Sequence, residues 1–380
     1  MAGAAAALTA RKAGASVLLI SRAPGATALS SGAADIAADG DAPLRDAARS
    51  VARRPGHPYG VLPDLGRAVA DALELLRALG YAGGGERNLW LLSPLGCPKP
   101  AALAQPWIAA GDLRSLPRDA RPGVAALAGA QAIEARLQAE GLRKVFPQAM
   151  VLPVELYTKK SDALRGVPEM AADFDRTGRR AQLAEALGRA ARAAGATHLF
   201  VPTLGFAPEP IDAGVPVYEM LSAPPSVPGL RLQRAMDAAL RRAGVELRAA
   251  AVAKADLPPA AATVLATGRF IGGGIRAGGE LRETVFGLPA WAGDRRSLPA
   301  LPGEELFAIK AAGRHAGLAA GVRVGPDLRV PGSAIFAAGA VVGGYDPSRD
   351  EGGLGAAAML GIVAGRNAAA AAAAPRRASA

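Results

Sequence analysis

Apolar and polar residues alternate along the chain at two spacings, which predict a succession of strands and helices. The alanine-rich residues 1–14 and the apolar run 16–20 predict a helix followed by a strand. Apolar residues at helical spacing predict the following helices: 64–79, 131–141, 179–194 and 229–243. Short apolar runs predict strands within the following segments: 88–96, 105–113, 124–130, 144–157, 197–206, 215–221, 245–253, 262–268 and 335–339. Residues 36–63 show neither spacing and are expected to be irregular.

This alternation predicts an α/β protein with a Rossmann-like FAD/NAD(P)-binding three-layer fold. Strands interrupted by proline predict a mixed α/β domain inserted at 85–253, which makes the nucleotide-binding domain discontinuous, over 1–84 and 254–380. The first helix matches the second half of a βαβ unit, with Gly3 as the third glycine of G-x-G-x-x-G. The first strand and the first glycines of that unit are therefore expected to lie before Met1.

Glycines cluster where the last predicted strand leads into a helix of small residues. The strand ends at Gly339, and an earlier strand ends in the same way at Gly268. The segment after Gly339 contains five further glycines and one aspartate: Gly343, Gly344, Asp346, Gly352, Gly353 and Gly355. Glycines let the backbone approach a flat ligand, and a helix N-terminus favours negative charge. The pattern predicts a site for a cofactor that gains negative charge on reduction, as a flavin does.

Composition narrows the function classes. Hydrophobic residues make up 51% of the 380 residues and aromatic residues only 4%, so we expect a globular chain without stacking platforms for nucleic acid. The net charge of +11 is spread along the chain. It indicates either a solvated surface or contact with an anionic membrane. With three histidines and one cysteine, Cys97, no disulfide, iron–sulfur cluster or metal site is expected within this chain.

Two segments after the first strand bear on the choice of cofactor. Ser30, Ser31 and Gly32 form either a loop that donates hydrogen bonds to the cofactor or an ordinary capped turn. The second strand of a dinucleotide fold usually ends in an acidic residue that holds the adenosine ribose. Here Ser21 and Arg22 follow that strand, so Arg22 is a candidate phosphate ligand. This favours a mononucleotide flavin or a loosely held FAD.

Seven segments resemble one known family, in the family's order. They are LSSGAADI (29–36), HPYGVL (57–62), SPLG (93–96), PPSVPGLRLQ (224–233), LATGRFIGGG (265–274), FGL (286–288) and FAAGAVVGGYDP (336–347). They are similar to the B subunits of the anaerobic glycerol-3-phosphate dehydrogenases, in the fumarate-reductase-like flavoprotein superfamily. The resemblance implies oxidation of sn-glycerol 3-phosphate to dihydroxyacetone phosphate, with electrons passed to quinone. It implies FMN as the cofactor of this chain, with FAD as the alternative.

The resemblance also implies a complex of three different subunits. The partners are the A subunit, which contains a flavin, and the C subunit, which carries iron–sulfur clusters at the membrane. No segment is expected to span a bilayer, because Arg366 and Asn367 interrupt the alanine-rich C-terminal stretch, and no signal peptide is expected. The chain is thus expected in the cytoplasm, peripheral on the inner face of the membrane through its partners. The alternatives are a noncatalytic scaffold or electron relay in that complex, or a flavin dehydrogenase of another small substrate.

The implied reaction needs a base for the hydroxyl proton and cations for the phosphate. The candidate bases are His57, in a rigid His-Pro-Tyr-Gly turn, and His315, close to Lys310 and Arg314. The candidate phosphate ligands are Arg231, Arg269 and Arg314. A structural loop histidine and surface arginines are the competing interpretations, and sequence alone does not choose among them.

Overall fold

The computed structural model describes residues 1–37, 40–127, 135–155, 166–177, 179–207, 209–298, 316–350 and 352–374. The helices are α1 (Ala2–Lys12), α2 (Leu44–Ala52), α3 (Leu65–Ala78), α4 (Pro106–Ala109), α5 (Ala135–Arg143), α6 (Val167–Thr177), α7 (Arg179–Ala194), α8 (Val227–Arg242), α9 (Pro347–Asp350) and α10 (Gly353–Ala373). The strands are β1 (Leu18–Ser21), β2 (Ala33–Ala34), β3 (Leu89–Leu92), β4 (Pro98–Ala101), β5 (Leu103–Ala104), β6 (Pro122–Leu127), β7 (Met150–Val154), β8 (His198–Val201), β9 (Val217–Glu219), β10 (Glu246–Ala249), β11 (Thr263–Leu265), β12 (Ile275–Gly278), β13 (Glu280–Glu283) and β14 (Ile335–Ala337). The protein is therefore α/β, as the sequence predicts.

The chain divides into two compact units. The first comprises residues 1–26, 34–79 and 235–380, and the second comprises 27–33 and 80–234. Residues 235–253 lie in the first unit, although the predicted boundaries place them in the insertion. The reason is that β10 pairs in parallel with β1.

Two parallel strand pairs form the sheet structure that supports the candidate site in the first unit. They are β1 with β10 and β11 with β14. Within the described residues no hydrogen bond joins one pair to the other, and α1 contacts both β1 and β11. A separate antiparallel hairpin is formed by β12 and β13.

Helix α10 packs on α1 with the two backbones in contact. A Cβ added at Gly361 would lie 2.8 Å from the Cβ of Ala5 and would overlap the carbonyl oxygen of Ala2. A Cβ added at Gly365 would lie 2.7 Å from the Cα of Ala6. The spacing of four residues places both glycines on one face of α10. Because α1 presents only alanines there, the helices approach more closely than larger side chains would allow.

Helix α10 is long and apolar enough to cross a membrane. This differs from the sequence-based expectation, in which Arg366 and Asn367 interrupt the stretch. Its most apolar window is 56% buried within the protein, where it packs on α1 and α3. A buried core helix needs an apolar surface of this kind, so its composition is weak evidence for a membrane span.

The second unit contains a four-stranded parallel sheet in the order β7-β6-β8-β9. One cluster of buried side chains includes Leu152, Leu183 and Leu199, contributed by β7, α7 and β8. Another includes Leu142 and Phe200, contributed by α5 and β8. Strands β3 and β4 form an antiparallel pair in the same unit.

Two predictions of local structure are wrong. Residues 44–52 form α2 rather than an irregular segment, because Leu44, Ala47 and Val51 supply a buried stripe at helical spacing. The predicted strand at 105–113 instead begins with the short helix α4. Pro106 occupies its first turn, where its fixed φ angle and missing N–H suit a helix.

We expect Gly361→Ala and Gly365→Ala to destabilise the protein by about 1–3 kcal/mol each, because a new methyl group must push α10 away from α1. In an exposed helix the same change would stabilise by about 1 kcal/mol. The matched control is Ala370→Val, at an exposed position of the same helix. Thermal melting checks the sign, and a raised melting temperature for both glycine variants would contradict this packing.

Candidate functional site

The candidate site lies where β11 and β14 end. Parallel strands place their carboxyl ends at one edge, so the loops after Leu265 and Ala337 meet there. Arg269 joins these loops, because its Nε donates to the Ala340 carbonyl at 3.2 Å and its Nη2 donates to the Tyr345 carbonyl at 2.8 Å. Burial lowers the pKa of Arg269 to about 10, so the side chain is cationic at neutral pH. Its Nη1 has no acceptor among the described residues.

The first turn of α10 presents backbone donors to this edge. Gly352 precedes the helix and provides no side-chain cap, and its N–H donates to the Tyr345 hydroxyl. The Gly355 N–H donates to the Asp35 carbonyl at 3.1 Å. The N–H groups of Gly353 and Leu354 find no acceptor in the described part of the chain, and Gly353 is exposed. These two donors are therefore available to a ligand.

Most glycines predicted to meet a cofactor instead pack closely against other parts of the protein. Gly344 has a φ of +91°, and a Cβ there would overlap the carbonyl of Gly56. A Cβ at Gly352 would lie 2.9 Å from the Ile36 carbonyl oxygen, and a Cβ at Gly355 would lie 2.6 Å from the Ile36 Cδ1. The absence of side chains at these positions lets the α10 turn pack on the chain around residues 36 and 56.

The remaining predicted glycines divide into packed and open positions. Gly339 and Gly343 are packed, because a Cβ would lie 2.6 Å from the Ala2 Cβ in the first case and 3.2 Å from the Gly321 oxygen in the second. Gly3 faces the Cβ of Ala266 at an ordinary contact distance of 3.5 Å. Gly268 is partly exposed and keeps space around its Cα. Of the predicted set, Gly353 and Gly268 fit a role in ligand contact best.

A buried carboxylate, Asp350, anchors the chain just before α10. Its side chain is 5% exposed and pairs with the Arg54 guanidinium. Its Oδ2 accepts the Asp346 backbone N–H at 2.7 Å and lies 3.5 Å from His57 Nε2. The predicted ligand-binding residue Asp346 therefore uses its backbone to begin α9, and Asp350 joins this segment to the turn at 54–57.

His57, the first candidate base, is buried and serves a structural role in this conformation. Its Nδ1 accepts the Tyr59 backbone N–H at 3.2 Å, so the neutral ring carries its proton on Nε2, which faces Asp350. Burial lowers the pKa of His57 to about 4; the Asp350 carboxylate opposes this shift and the Arg54 cation adds to it. A neutral imidazole whose lone pair is occupied is poorly placed to accept a substrate proton. The catalytic assignment is therefore not supported.

Two tyrosines, Tyr59 and Tyr345, complete the cluster, and neither was among the residues predicted from the sequence. The Tyr59 hydroxyl donates to the Ile36 carbonyl at 2.8 Å, while the Tyr345 hydroxyl accepts the Gly352 N–H. Burial raises the pKa of both phenols, and nearby carboxylates raise it further. Both are thus neutral donors or acceptors at physiological pH. Their positions inside the HPYGVL and GGYDP segments were the signal available in the sequence.

The predicted serine loop lies in the second unit, where other parts of that unit hold it. The Ser30 carbonyl accepts the Ser226 hydroxyl, and the Ser31 carbonyl accepts the Ser222 N–H at 3.0 Å. A Cβ at Gly32 would lie 3.0 Å from Pro228, within a tightly packed contact. These contacts favour the capped-turn interpretation over open cofactor contact.

Arg231 is buried in the second unit with every guanidinium donor engaged. Its Nη1 and Nη2 bind the two Glu219 carboxylate oxygens at 2.7 and 2.9 Å. Nε and Nη2 also donate to the Gly205 carbonyl, and Nη1 reaches Gln105 Oε1 at 3.4 Å. With five N–H groups used, no donor is left for a phosphate. The structure therefore does not support a role for Arg231 in binding the substrate phosphate in this conformation.

The other predicted polar residues contribute less to the site. Arg22 is exposed after β1, where no acceptor among the described residues holds it. His315, Arg314 and Lys310 lie outside the described residues. Of the two described candidates for the substrate phosphate, Arg231 and Arg269, Arg269 is thus the one that keeps a free donor group.

We expect His57 to make stability depend on pH between about 6.5 and 4. The folded-state pKa lies below the unfolded value, so this contribution is complete above pH 6.5 and is lost as the pH falls towards 4. In His57→Asn the amide oxygen can still accept the Tyr59 N–H. The difference in unfolding free energy, wild type minus variant, should fall by up to about 1.4 kcal/mol per pH unit in this window. Urea unfolding at several pH values measures it, and a flat difference would contradict the burial of a neutral ring.

We expect Arg231→Met to destabilise the protein by about 3–5 kcal/mol, because Glu219 stays buried without its partner. The double variant Arg231→Met/Glu219→Met should recover most of that loss, since it removes both charges. Chemical unfolding of the two variants checks this. A cost below about 1 kcal/mol for the single variant would instead be typical of an exposed ion pair.

No protein-family model matches this chain, and no solved structure matches it. The chain is 32% identical over 256 residues to proteins of two strains of Halobacterium salinarum, each named as the probable B subunit of an anaerobic glycerol-3-phosphate dehydrogenase. The match covers 60% of this chain and 55% of each relative, so the chain spans about half the length of the curated relatives it matches. The comparison confirms the resemblance that the seven segments indicated.

Proposed function

We propose that this chain is the flavin-binding B subunit of an anaerobic glycerol-3-phosphate dehydrogenase complex. The similarity to proteins of that name supports the assignment. The structural observation that carries it is the exposed start of α10, where the N–H groups of Gly353 and Leu354 find no acceptor among the described residues. Arg269 binds the carbonyl of Tyr345, the residue whose hydroxyl faces Gly353. A flavin, when bound, supplies hydride acceptance from a secondary alcohol and one-electron transfer to further carriers.

The residues around α10 fit a flavin in charge and in hydrogen bonding. Two backbone donors and the positive end of a 21-residue helix favour a ring that becomes anionic on reduction. Arg269 adds a cation with a free Nη1, suited to either a flavin phosphate or a substrate phosphate. The neutral phenol of Tyr345 fixes the start of the helix by accepting the Gly352 N–H. FMN is the preferred cofactor and FAD the alternative.

The proposal includes the implied reaction and assembly. The substrate is sn-glycerol 3-phosphate and the product is dihydroxyacetone phosphate, with electrons passing through the flavin-containing partner and the iron–sulfur partner to quinone. The location is the cytoplasmic face of the membrane, with attachment through these partners. In this proposal the chain's own residues bind and orient the cofactor, while the base that takes the hydroxyl proton lies outside the His57 cluster.

One observation favours the second candidate, a noncatalytic scaffold in the same complex. Protein backbone fills the space beside the Cα atoms of Gly344, Gly352 and Gly355, and every N–H group of the Arg231 guanidinium already donates to a protein acceptor. A scaffold would retain these packing contacts without binding a flavin.

The visible spectrum of the purified chain separates the candidates, since a bound flavin absorbs at about 370 and 450 nm. A colourless folded chain, unchanged after incubation with FMN and FAD, would favour the scaffold.

We expect Gly353→Val to lower flavin content at least tenfold while the fold survives. The new side chain has room beside the Tyr345 hydroxyl, 3.4 Å from its Cβ, but it covers the exposed amides. The matched control is Ala370→Val at the far end of the same helix, which should retain flavin. Flavin released by denaturation and separated by chromatography gives the content and distinguishes FMN from FAD. Full retention in folded Gly353→Val would count against this site.

A further inference from the structure

Large apolar side chains are exposed along one edge of the second unit. Leu95, Leu137 and Val145 are 70%, 45% and 48% exposed. Leu137 lies on α5 and Val145 follows that helix, so about 12 Å of chain separates them at the helical rise. The loop that carries Leu95 is held against α5, where the Gln138 amide donates to the Pro94 carbonyl at 3.4 Å. The three side chains therefore belong to one local surface.

Basic side chains surround these apolar residues. The exposed cations on α5, on its C-terminal extension and on the neighbouring segment 112–120 are Arg114, Arg118, Arg136, Arg143 and Lys144. The exposed acidic residues of the same elements are Glu140, which pairs with Arg143 at 2.5 Å, and Asp119, so the cations remain in excess. The Arg114 guanidinium stacks on Trp90 at 4.9 Å from the ring centre, which holds this cation in place.

A cleft of about 420 Å³ opens on the same surface. Its lining combines four apolar side chains with two cations: Leu113, Leu116, Val145, Phe146, Arg114 and Arg118. An apolar wall beside arginines suits a molecule with a hydrocarbon part and an anionic head, because guanidinium groups bind phosphate through paired hydrogen bonds. Val145 belongs to both the cleft and the exposed apolar set.

We propose that this surface, which we call the basic apolar face (Leu95, Leu137, Val145 and the five surrounding cations), binds anionic phospholipid directly. The leucines and Val145 enter the interfacial region, and the cations contact the lipid phosphates. The proposal goes beyond attachment through partner subunits, because it assigns lipid contact to this chain itself.

The arrangement favours a lipid surface over an acidic protein partner. Protein interfaces concentrate apolar residues in a centre depleted of charge. Here two of the three exposed apolar residues directly follow a cation in the chain: Arg136 precedes Leu137, and Lys144 precedes Val145. A membrane interface accepts such a mixture, because long cationic side chains reach the headgroups while apolar neighbours enter the acyl boundary.

Flotation of the purified full chain with vesicles tests the proposal. The two vesicle types are phosphatidylcholine alone and phosphatidylcholine mixed with phosphatidylglycerol. We expect binding to the mixed vesicles that weakens with salt, and little binding to the neutral ones. Leu95→Asp/Leu137→Asp should reduce affinity at least tenfold. Both positions are exposed, so the fold should survive, and circular dichroism verifies this.

Charge variants test whether lipid binding depends on the basic apolar face or on the net positive charge of the whole chain. Arg136→Gln/Lys144→Gln should weaken binding by about fivefold per cation removed, equivalent to about 1 kcal/mol each. The control Arg241→Gln/Arg242→Gln removes the same charge from exposed positions on α8 and should change affinity by less than about twofold. Equal losses in both charge variants, or unchanged binding of the leucine variant, would overturn the proposal. Failure of the folded wild type to bind either vesicle would also overturn it and leave the face to an acidic protein partner.

Discussion

The contact between α1 and α10 fixes the position of the candidate site. Gly361 and Gly365 bring the backbone of α10 against Ala2 and Ala6, so no side chain larger than a methyl group separates the two helices there. Close-packed interiors transmit displacement, and a shift of α10 would carry its N-terminus away from the carboxyl edge of β11 and β14. The free amides at Gly353 therefore depend on packing that begins two helical turns further along the chain.

Burial of the Asp350 carboxylate costs desolvation free energy, which its partners must offset. Removing a carboxylate from water is unfavourable, and its pairing with Arg54 and the Asp346 N–H offsets that cost without assuring a net gain. The gain is geometric, since the pair ties the segment before α10 to the turn that carries His57. Around it, His57 and Tyr59 are held neutral by burial, so neither of these side chains adds a further charge to the cluster.

Local patterns in the sequence predicted much of the secondary structure. The bounds of α7 were predicted as observed, because its apolar residues repeat regularly, and α3 begins after Asp64, whose side chain accepts the Arg67 N–H. Helix α2 was missed because two of its four buried residues are alanine, whose small side chain marks a buried face less distinctly than leucine or valine. The strand predicted around Pro106 was wrong because proline suits a helical first turn as well as a strand edge.

Roles in the site were harder to predict because they depend on residues distant in sequence. The glycine turn was recognisable, yet the partners that fill Gly344 and Gly355 come from residues 56 and 35–36. The saturation of Arg231 likewise depends on Glu219 and on the carbonyl of Gly205, neither of which has a local signature. Glycine serves two purposes in this turn: at most positions it lets protein pack on protein, and at Gly353 it leaves amides uncovered. The number of glycines therefore overstates the surface available to a cofactor, and an exposed amide at a helix start is the more selective indicator.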